Sequence, residues 1–182
     1  MVLTFEQLVA KRRSQRRFLH AEIDPEQVQM MLRAALLSPT SRNGQSWQFV
    51  VVDDRTDLLK LSDVKESGAA FIKDAALAVV VMGNPILNDC WVEDGSIAAI
   101  SMQYQAEDLG LASCWVQIRG RRLSDGTTSA EVVRGILDIP DELDVLCIVA
   151  VGKPLVPLPP HDEDSLKWEN VSIGKYNSHD QL

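Results

Sequence analysis

The feature that most constrains the fold is a continuous apolar run over residues 75–82, which ends at Gly83, Asn84 and Pro85. The run is rich in valine, a β-branched residue that favours strands, and the glycine and proline after it terminate strands. Because no residue in the run is polar, neither face of such a strand is suited to water. The run therefore predicts a core strand that is buried on both faces.

Capping residues and hydrophobic periodicity predict the other elements. Thr4 and Gln7 have the spacing of a capping box, Asp24 followed by Pro25 has the form of an N-cap before a first-turn proline, and Ser129 is the expected cap of the last helix. The predicted elements are helices over residues 4–13, 25–38, 57–65, 89–109 and 129–137, and strands over residues 47–52, 75–82, 111–118 and 143–151.

The order of these elements mixes helices and strands without the strict alternation of a Rossmann domain. The chain also lacks a Gly-rich dinucleotide fingerprint such as GxGxxG. The sequence therefore predicts a layered α+β fold. A length of 182 residues with 46% hydrophobic residues suits one domain with one core. We expect residues 1–154 to form that domain and residues 155–182 to form a C-terminal arm.

Composition disfavours several classes of function. No stretch reaches the roughly 18 apolar residues of a membrane helix, and the first residues run from apolar to basic, the reverse of a secretory signal. A net charge of -8 argues against nucleic-acid binding, which needs an excess of Lys and Arg. Cys90, Cys114 and Cys147 have neither disulfide nor zinc spacing, so we interpret them as buried free thiols. We expect a soluble, cytoplasmic protein without metal, membrane or nucleic-acid ligands.

A dense basic run lies near the N-terminus. Five of the 18 Lys and Arg residues fall within residues 11–17, in an acidic chain. Guanidinium groups bind phosphate oxygens in bidentate fashion, and Ser14 beside them adds a donor, so the run is suited to a phosphate monoester. Alternatively, the cations complement the dipole at the C-terminus of the first helix.

Two further segments allow a functional and a structural interpretation. The loop over residues 38–47 is dense in Ser, Thr, Asn and Gln, which suits contacts with the edge of a heterocycle, but its composition is also that of a plain turn. The small-residue helix that leads into residues 110–117 indicates tight packing. The tail has four prolines within residues 154–160 and then exposed aromatic residues, which fits either a frayed terminus or an arm on a second subunit.

Together these segments resemble the nitroreductase family in order and spacing across nearly the whole chain. The family motif R-R-S-x-R-x-F is matched by residues 12–18, and S-P-[ST]-x-x-N-x-Q-x-W is matched by residues 38–47, with Ser46 where proline is usual. The family's G-L-x-S-C-W corresponds to residues 110–115, and V-G-K-P corresponds to residues 151–154. One motif is weak support, whereas four in sequence are strong.

The resemblance implies a short, single-domain form of the family fold: three layers with a central mixed or antiparallel sheet flanked by helices. It further implies a homodimer formed through the long helix, a domain-swapped C-terminal arm on the partner, and FMN at the subunit interface. The helical insertion that shapes the substrate pocket of longer relatives is absent, because only about thirty residues separate Val52 from Met82. The substrate is therefore left open.

The resemblance also implies roles for individual residues. Arg12, Arg13 and Ser14 would hold the FMN phosphate and ribityl chain, and Arg16 would lie near N1 and O2 of the ring. The remaining cofactor-binding residues form three sets. One set would contact the ring from the other subunit, namely Pro39, Thr40, Ser41, Asn43 and Gln45, and a second would lie at N5, namely Trp115, Val116, Gln117 and Ile118. The third, Arg119 or Arg121, would contact the phosphate in place of the basic C-terminal residues of longer relatives.

The implied activity is ping-pong electron transfer from NAD(P)H through FMN to a small acceptor such as a nitroaromatic or a quinone. It requires no side-chain nucleophile or base, and we interpret His20, His161 and His179 as ordinary surface residues. Two alternatives stay open. One is a flavoenzyme of the same fold with another net reaction, such as dehalogenation or flavin fragmentation, and the other is a non-catalytic flavin-binding or phosphate-binding regulatory dimer.

Overall fold

Four antiparallel strands form the centre of the computed structural model, which describes residues 3–176. The spatial order is β1, β2, β4, β3, so that β1 and β3 are the two edges. The strands are β1 (Gln48–Val52), β2 (Leu77–Gly83), β3 (Ala112–Gln117) and β4 (Asp144–Gly152). All residues of β2 are buried, which confirms the strand predicted from the apolar run.

Five α-helices of the described chain surround the sheet, and their positions follow the sequence prediction closely. They are α1 (Phe5–Lys11), α2 (Pro25–Leu36), α3 (Arg55–Leu61), α4 (Trp91–Asp108) and α5 (Ser129–Leu137). The capping box of α1 is confirmed, because the Thr4 side chain accepts a hydrogen bond from the Gln7 backbone N–H and the Gln7 side chain accepts one from the Thr4 N–H.

The helices cover both faces of the sheet and make three layers. On one face, Val79 and Val81 of β2 belong to a core with α2 and α4, and Met102 is fully buried there. On the other face, Val80 packs in a second core with α3 and α5 that contains Leu58. The α+β three-layer prediction is confirmed, and the named strands pair only in the antiparallel sense.

Helix α4 lies close against the sheet, as its small residues predict. A Cβ atom on Gly95 would lie 2.8 Å from Leu146 Cδ2, so a larger residue there would displace the helix. Ala98 and Ala106 are fully buried on the same side. Dense contact of this kind makes α4 a rigid reference for the segments at its two ends.

The basic run is mostly extended rather than helical. Helix α1 ends at Lys11, two residues before the predicted end near Arg13, and Arg12 already has an extended backbone. The Gln15 N–H then donates to the Ser113 carbonyl at 3.0 Å, so the run continues along the β3 edge of the sheet. Phe18 anchors its far end, because a Cβ on Gly152 would lie 2.8 Å from the Phe18 ring.

Three local predictions were wrong. Helix α3 spans Arg55–Leu61 rather than residues 57–65; it begins early because Asp54 caps it, accepting from the N–H groups of Thr56 and Asp57. The cap of α5 is Thr128, which forms a capping box with Glu131, and not Ser129. Cys114 and Cys147 are buried free thiols as predicted, but Cys90 is only half-buried, since it lies at the start of α4.

The first part of the tail lies on its own protomer. The Leu155 N–H donates to the Arg17 carbonyl at 3.0 Å, and the His161 N–H donates to the Ala10 carbonyl at 2.8 Å. Beyond this point Trp168 is 70% exposed and Ile173 is 94% exposed. His20 and His161 are exposed, as predicted, and His179 lies outside the described residues. No helix within residues 3–176 is long and apolar enough to cross a membrane.

Candidate functional site

A row of cationic side chains, the cation row, lies along the β3 edge of the sheet near Cys114. Its members are Arg12, Arg16 and Lys65. Burial raises the pKa of the Cys114 thiol, while a hydrogen bond to Ser14 and the positive charges of Arg16, Arg12 and Lys65 oppose that rise. These four side chains therefore lie near the buried Cys114 thiol. Arg12, Ser14 and Arg16, three of the residues predicted to contact FMN, thus lie near one another.

Lys65 is a member of this row that sequence reasoning missed. It lies in the irregular segment after α3, and its ammonium group donates to the Gln117 carbonyl at 3.3 Å. Burial lowers the pKa of Lys65, and the nearby charge of Arg121 lowers it further. No local motif marks this lysine, because only the tertiary fold brings it to β3.

The cations of the row have no carboxylate partner within residues 3–176. The ion pairs of that part of the chain involve Lys11, Lys60, Arg134 and Lys167, and none includes Arg12, Arg16, Lys65 or Arg121. Arg16 instead lies over the Phe71 ring at 5.9 Å. Several unneutralised cations in a chain of net charge -8 make a site suited to an anion.

Three other arginines predicted for the phosphate have different surroundings. The Arg13 guanidinium donates to the Pro159 carbonyl at 2.6 Å, so in this conformation it fastens the tail. Arg119 lies over the Trp91 ring at 5.8 Å, which directs it towards the start of α4. Of the two proposed substitutes, Arg121 is the one whose charge acts on Lys65 and so extends the cation row.

Strand β3 presents backbone and amide groups beside the cations. Val116 and Ile118 have buried side chains, so only their backbone is available to a ligand. The Gln117 side chain is held in place, since it accepts from Trp115 Nε1 at 2.9 Å and donates to the Arg119 carbonyl at 2.9 Å. The edge is therefore rigid before any ligand binds.

The predicted polar loop lies elsewhere, before the start of β1. Arg42, Asn43 and Gln45 have φ values of 52°, 55° and 46°, a left-handed conformation that costs about 1 kcal/mol per non-glycine residue. Gln45 and Asn43 are exposed, together with Pro39, while Thr40 and Ser41 are half-buried. The Gln45 N–H donates to Thr40 Oγ1 at 3.1 Å and closes the loop on itself.

The loop and the phosphate end of the cation row do not meet within one protomer. Ser41 contacts Asp94 near the start of α4, whereas Lys11, next to Arg12, pairs with Glu107 near its end at 3.3 Å. At 1.5 Å per residue, these two points of α4 are about 20 Å apart. The loop leads into β1 at one edge of the sheet, whereas the cation row lies along β3 at the other edge. The two predicted halves therefore lie diagonally across the protomer.

The fold and the cation row define a three-layer α+β protein with a cationic sheet edge, and comparison with known proteins gives its family. The Nitroreductase family model matches residues 9–79 and 59–153. An Archaeoglobus fulgidus protein named NADH dehydrogenase/NAD(P)H nitroreductase is 32% identical over 151 residues, which cover 81% of this chain and 83% of that protein. The chain belongs to the nitroreductase family, as its motifs predict.

Solved structures agree with this assignment. An FMN-dependent nitroreductase from Clostridium difficile superposes with a TM-score of 0.91 at 36% identity, over 93% of this chain and 98% of that one. A structure from Bacteroides thetaiotaomicron named NADH dehydrogenase/NAD(P)H nitroreductase gives a TM-score of 0.84 at 26% identity, over 93% and 96% of the two chains. The likeness therefore extends over nearly the whole chain.

Proposed function

We propose that this protein is an FMN-dependent NAD(P)H oxidoreductase that reduces a small acceptor, such as a nitroaromatic or a quinone, by a ping-pong mechanism. The observation that carries the proposal is the row of unpaired cations along β3, formed by Arg12, Arg16 and Lys65 around Cys114. Support comes from relatives whose names include FMN dependence and NAD(P)H nitroreductase activity.

The residues of the row fit a flavin phosphate and ring. Arg12 and Ser14 supply a guanidinium fork and a hydroxyl, the donor set that a phosphate monoester prefers. Arg13 would join them if its guanidinium were shared with the tail carbonyls that it contacts. Arg16 and Lys65 would hold the ring at N1 and O2, where positive charge favours electron uptake.

Bound FMN would supply the electron transfer between the nicotinamide donor and the acceptor. The chain's own part is to hold the ring, exclude water from one side of it and place positive charge where negative charge develops. The backbone of Val116, Gln117 and Ile118 forms a fixed wall for this purpose. No side-chain base is assigned, since solvent can supply the protons. The donor would leave before the acceptor enters the same face.

We propose that the site is completed in a homodimer. A second copy whose α4 runs antiparallel to the first would bring its loop, with Pro39, Thr40, Ser41, Asn43 and Gln45, to the cation row of its partner. Helices α1 and α2, which pack against α4, expose large apolar side chains: Phe5 is 69% exposed and Leu36 is 49% exposed. Of the predicted C-terminal arm, the part up to His161 lies on its own protomer, and residues 162–176 would lie across the partner. We also propose a cytoplasmic location, because the free thiols of Cys114 and Cys147 suit a reducing compartment.

The first test is an absorbance spectrum of the purified protein, recorded without oxygen before and after addition of NADH or NADPH. The proposal expects flavin bands near one FMN per chain that bleach when the donor is added and return when an acceptor follows. Bands that persist with both donors would instead indicate a flavin-binding protein without this activity. A protein that does not bind added FMN would contradict the proposed cofactor.

A further inference from the structure

We propose that Asp94 and Asn88 form a positioning pair that holds the flavin-contacting loop in its binding conformation. The inference rests on the proposed FMN site and extends it to two residues that no motif marks. Neither side chain belongs to the loop or to the cation row.

Asp94 is a buried carboxylate, 3% exposed, in the first turn of α4. Its Oδ1 accepts from the Ser41 backbone N–H at 2.8 Å, and its Oδ2 accepts from Asn88 Nδ2 at 2.9 Å. Within the described chain no Lys, Arg or His pairs with it. A buried carboxylate that is compensated only by amide donors binds those donors strongly, because each bond replaces lost hydration.

Asn88 extends the connection to the other end of the loop. Its Nδ2 also donates to Ser46 Oγ at 2.7 Å, and its Oδ1 accepts from the Cys90 N–H at 2.9 Å. The side chain is therefore fixed in orientation by three partners. Together Asp94 and Asn88 form hydrogen bonds with the loop at Ser41 and at Ser46, on either side of its left-handed residues.

These two contacts are the hydrogen bonds that join residues 40–46 to the rest of the described protomer. The loop's other hydrogen bonds are internal, such as those from the Asn43 N–H to the Thr40 carbonyl and from the Gly44 N–H to the Ser41 carbonyl. A loop with three strained, non-glycine residues persists only when its surroundings hold it. Because α4 is rigid against the sheet, the pair transfers that rigidity to the loop.

The test compares variants by FMN affinity, by the visible circular dichroism of bound flavin and by the melting temperature of the FMN-free protein. Asp94→Ala removes both carboxylate contacts, and we expect the FMN dissociation constant to rise about tenfold or more. We also expect a changed dichroism of the flavin that stays bound. Glu93→Ala is the matched control, since this exposed neighbour shares the first turn of α4.

A swap variant, Asn88→Asp with Asp94→Asn, separates positioning from bulk stability. The two groups exchange donor and acceptor, so that the Ser41 N–H still finds an oxygen and the Ser46 hydroxyl can rotate to donate. We expect the swap to restore FMN affinity to within about threefold of wild type, and to restore the dichroism. Leu58→Ala, in the core on the other sheet face, should lower the melting temperature without changing FMN affinity.

The outcomes are distinct. Wild-type affinity in Asp94→Ala, or a folded swap variant that stays as weak as Asp94→Ala, would overturn the positioning role while leaving the proposed function intact. If Asp94→Ala does not fold, the swap variant decides: recovered FMN binding supports the role, and lost binding contradicts it. A wild-type protein that fails to bind FMN would instead refute the proposed function on which the inference rests.

Discussion

The two ends of α4 carry two different kinds of site. Near its C-terminal end, the segment with Arg12 is extended along a sheet edge, and its cations lack carboxylate partners in the described chain. Near its N-terminal end, the loop with Asn43 has a left-handed backbone and donates a hydrogen bond to a buried carboxylate that holds it. We propose that the first binds its ligand by charge and the second by shape. From their separation within a protomer we propose that neither is a complete site alone.

Loss of the phosphate contact sharpens this comparison most. We expect Arg12→Ala to weaken FMN binding by about 2 kcal/mol, or about thirtyfold, because a charge-assisted hydrogen bond is removed. Arg17→Ala is the control, since Arg17 is exposed in the same run and is outside the cation row. Equilibrium titration of the FMN-free protein measures both. An equal loss of FMN affinity in the two variants would mean that only the net charge of the run affects FMN binding.

A different change tests the ring end of the row. Removing the cation in Arg16→Ala should lower the two-electron midpoint potential of bound FMN by about 30 mV, because reduced flavin loses its nearest positive charge. Arg16→Lys should retain most of the wild-type value. Spectroscopic redox titration checks both variants. If Arg16→Ala changes neither the potential nor FMN affinity, Arg16 does not lie beside the flavin.

The exposed arm offers a test of the dimer that does not involve the flavin. Trp168 is 70% exposed on the described protomer, and its burial on a partner would contribute to association. We expect Trp168→Ser to raise the dimer dissociation constant about tenfold, whereas Lys167→Ser should leave it unchanged. Analytical ultracentrifugation over a dilution series distinguishes them. An unchanged constant in Trp168→Ser would remove the arm from the interface.

The smallest effect concerns Lys65, whose folded-state pKa is lowered by burial and by Arg121. Because the unfolded chain binds more protons between that lowered value and 10.5, the FMN-free protein should gain stability as pH rises through this window. Lys65→Met should abolish the gain and raise the melting temperature at neutral pH by about 1–2 °C. FMN affinity should fall in the same variant. Thermal melts across the alkaline range test this prediction. A melting temperature of Lys65→Met that still rises with pH as in the wild type would contradict it.

Much of the fold could be predicted because its signals are local. The apolar run of β2, the capping box at Thr4 and the small residues of α4 each depend on neighbours in sequence. The family motifs likewise identified Arg12, Ser14 and Arg16, which the fold brings together around Cys114. The cap of α5 was predicted wrongly because two adjacent residues, Thr128 and Ser129, are both of a type that caps helices.

The rest could not be predicted because its contacts join distant parts of the chain. Lys65 reaches Gln117 across 52 positions, and Asp94 reaches Ser41 across 53. Neither has a spacing rule that would mark it, since a single charged residue on a helix or in a bend is ordinarily a solvated side chain. The diagonal separation of the loop from Arg12 is also invisible in a sequence, where the two motifs are only about thirty residues apart.

Subunit exchange shows whether each site is shared between two subunits. Arg12→Ala damages the cation row, Asn43→Leu damages the loop, and each homodimer should bind FMN poorly. After the two are mixed equally and exchanged, shared sites predict that about a quarter of all sites are intact, since half of the dimers are mixed and each restores one site. FMN binding that stays at the level of the unmixed variants would contradict the account.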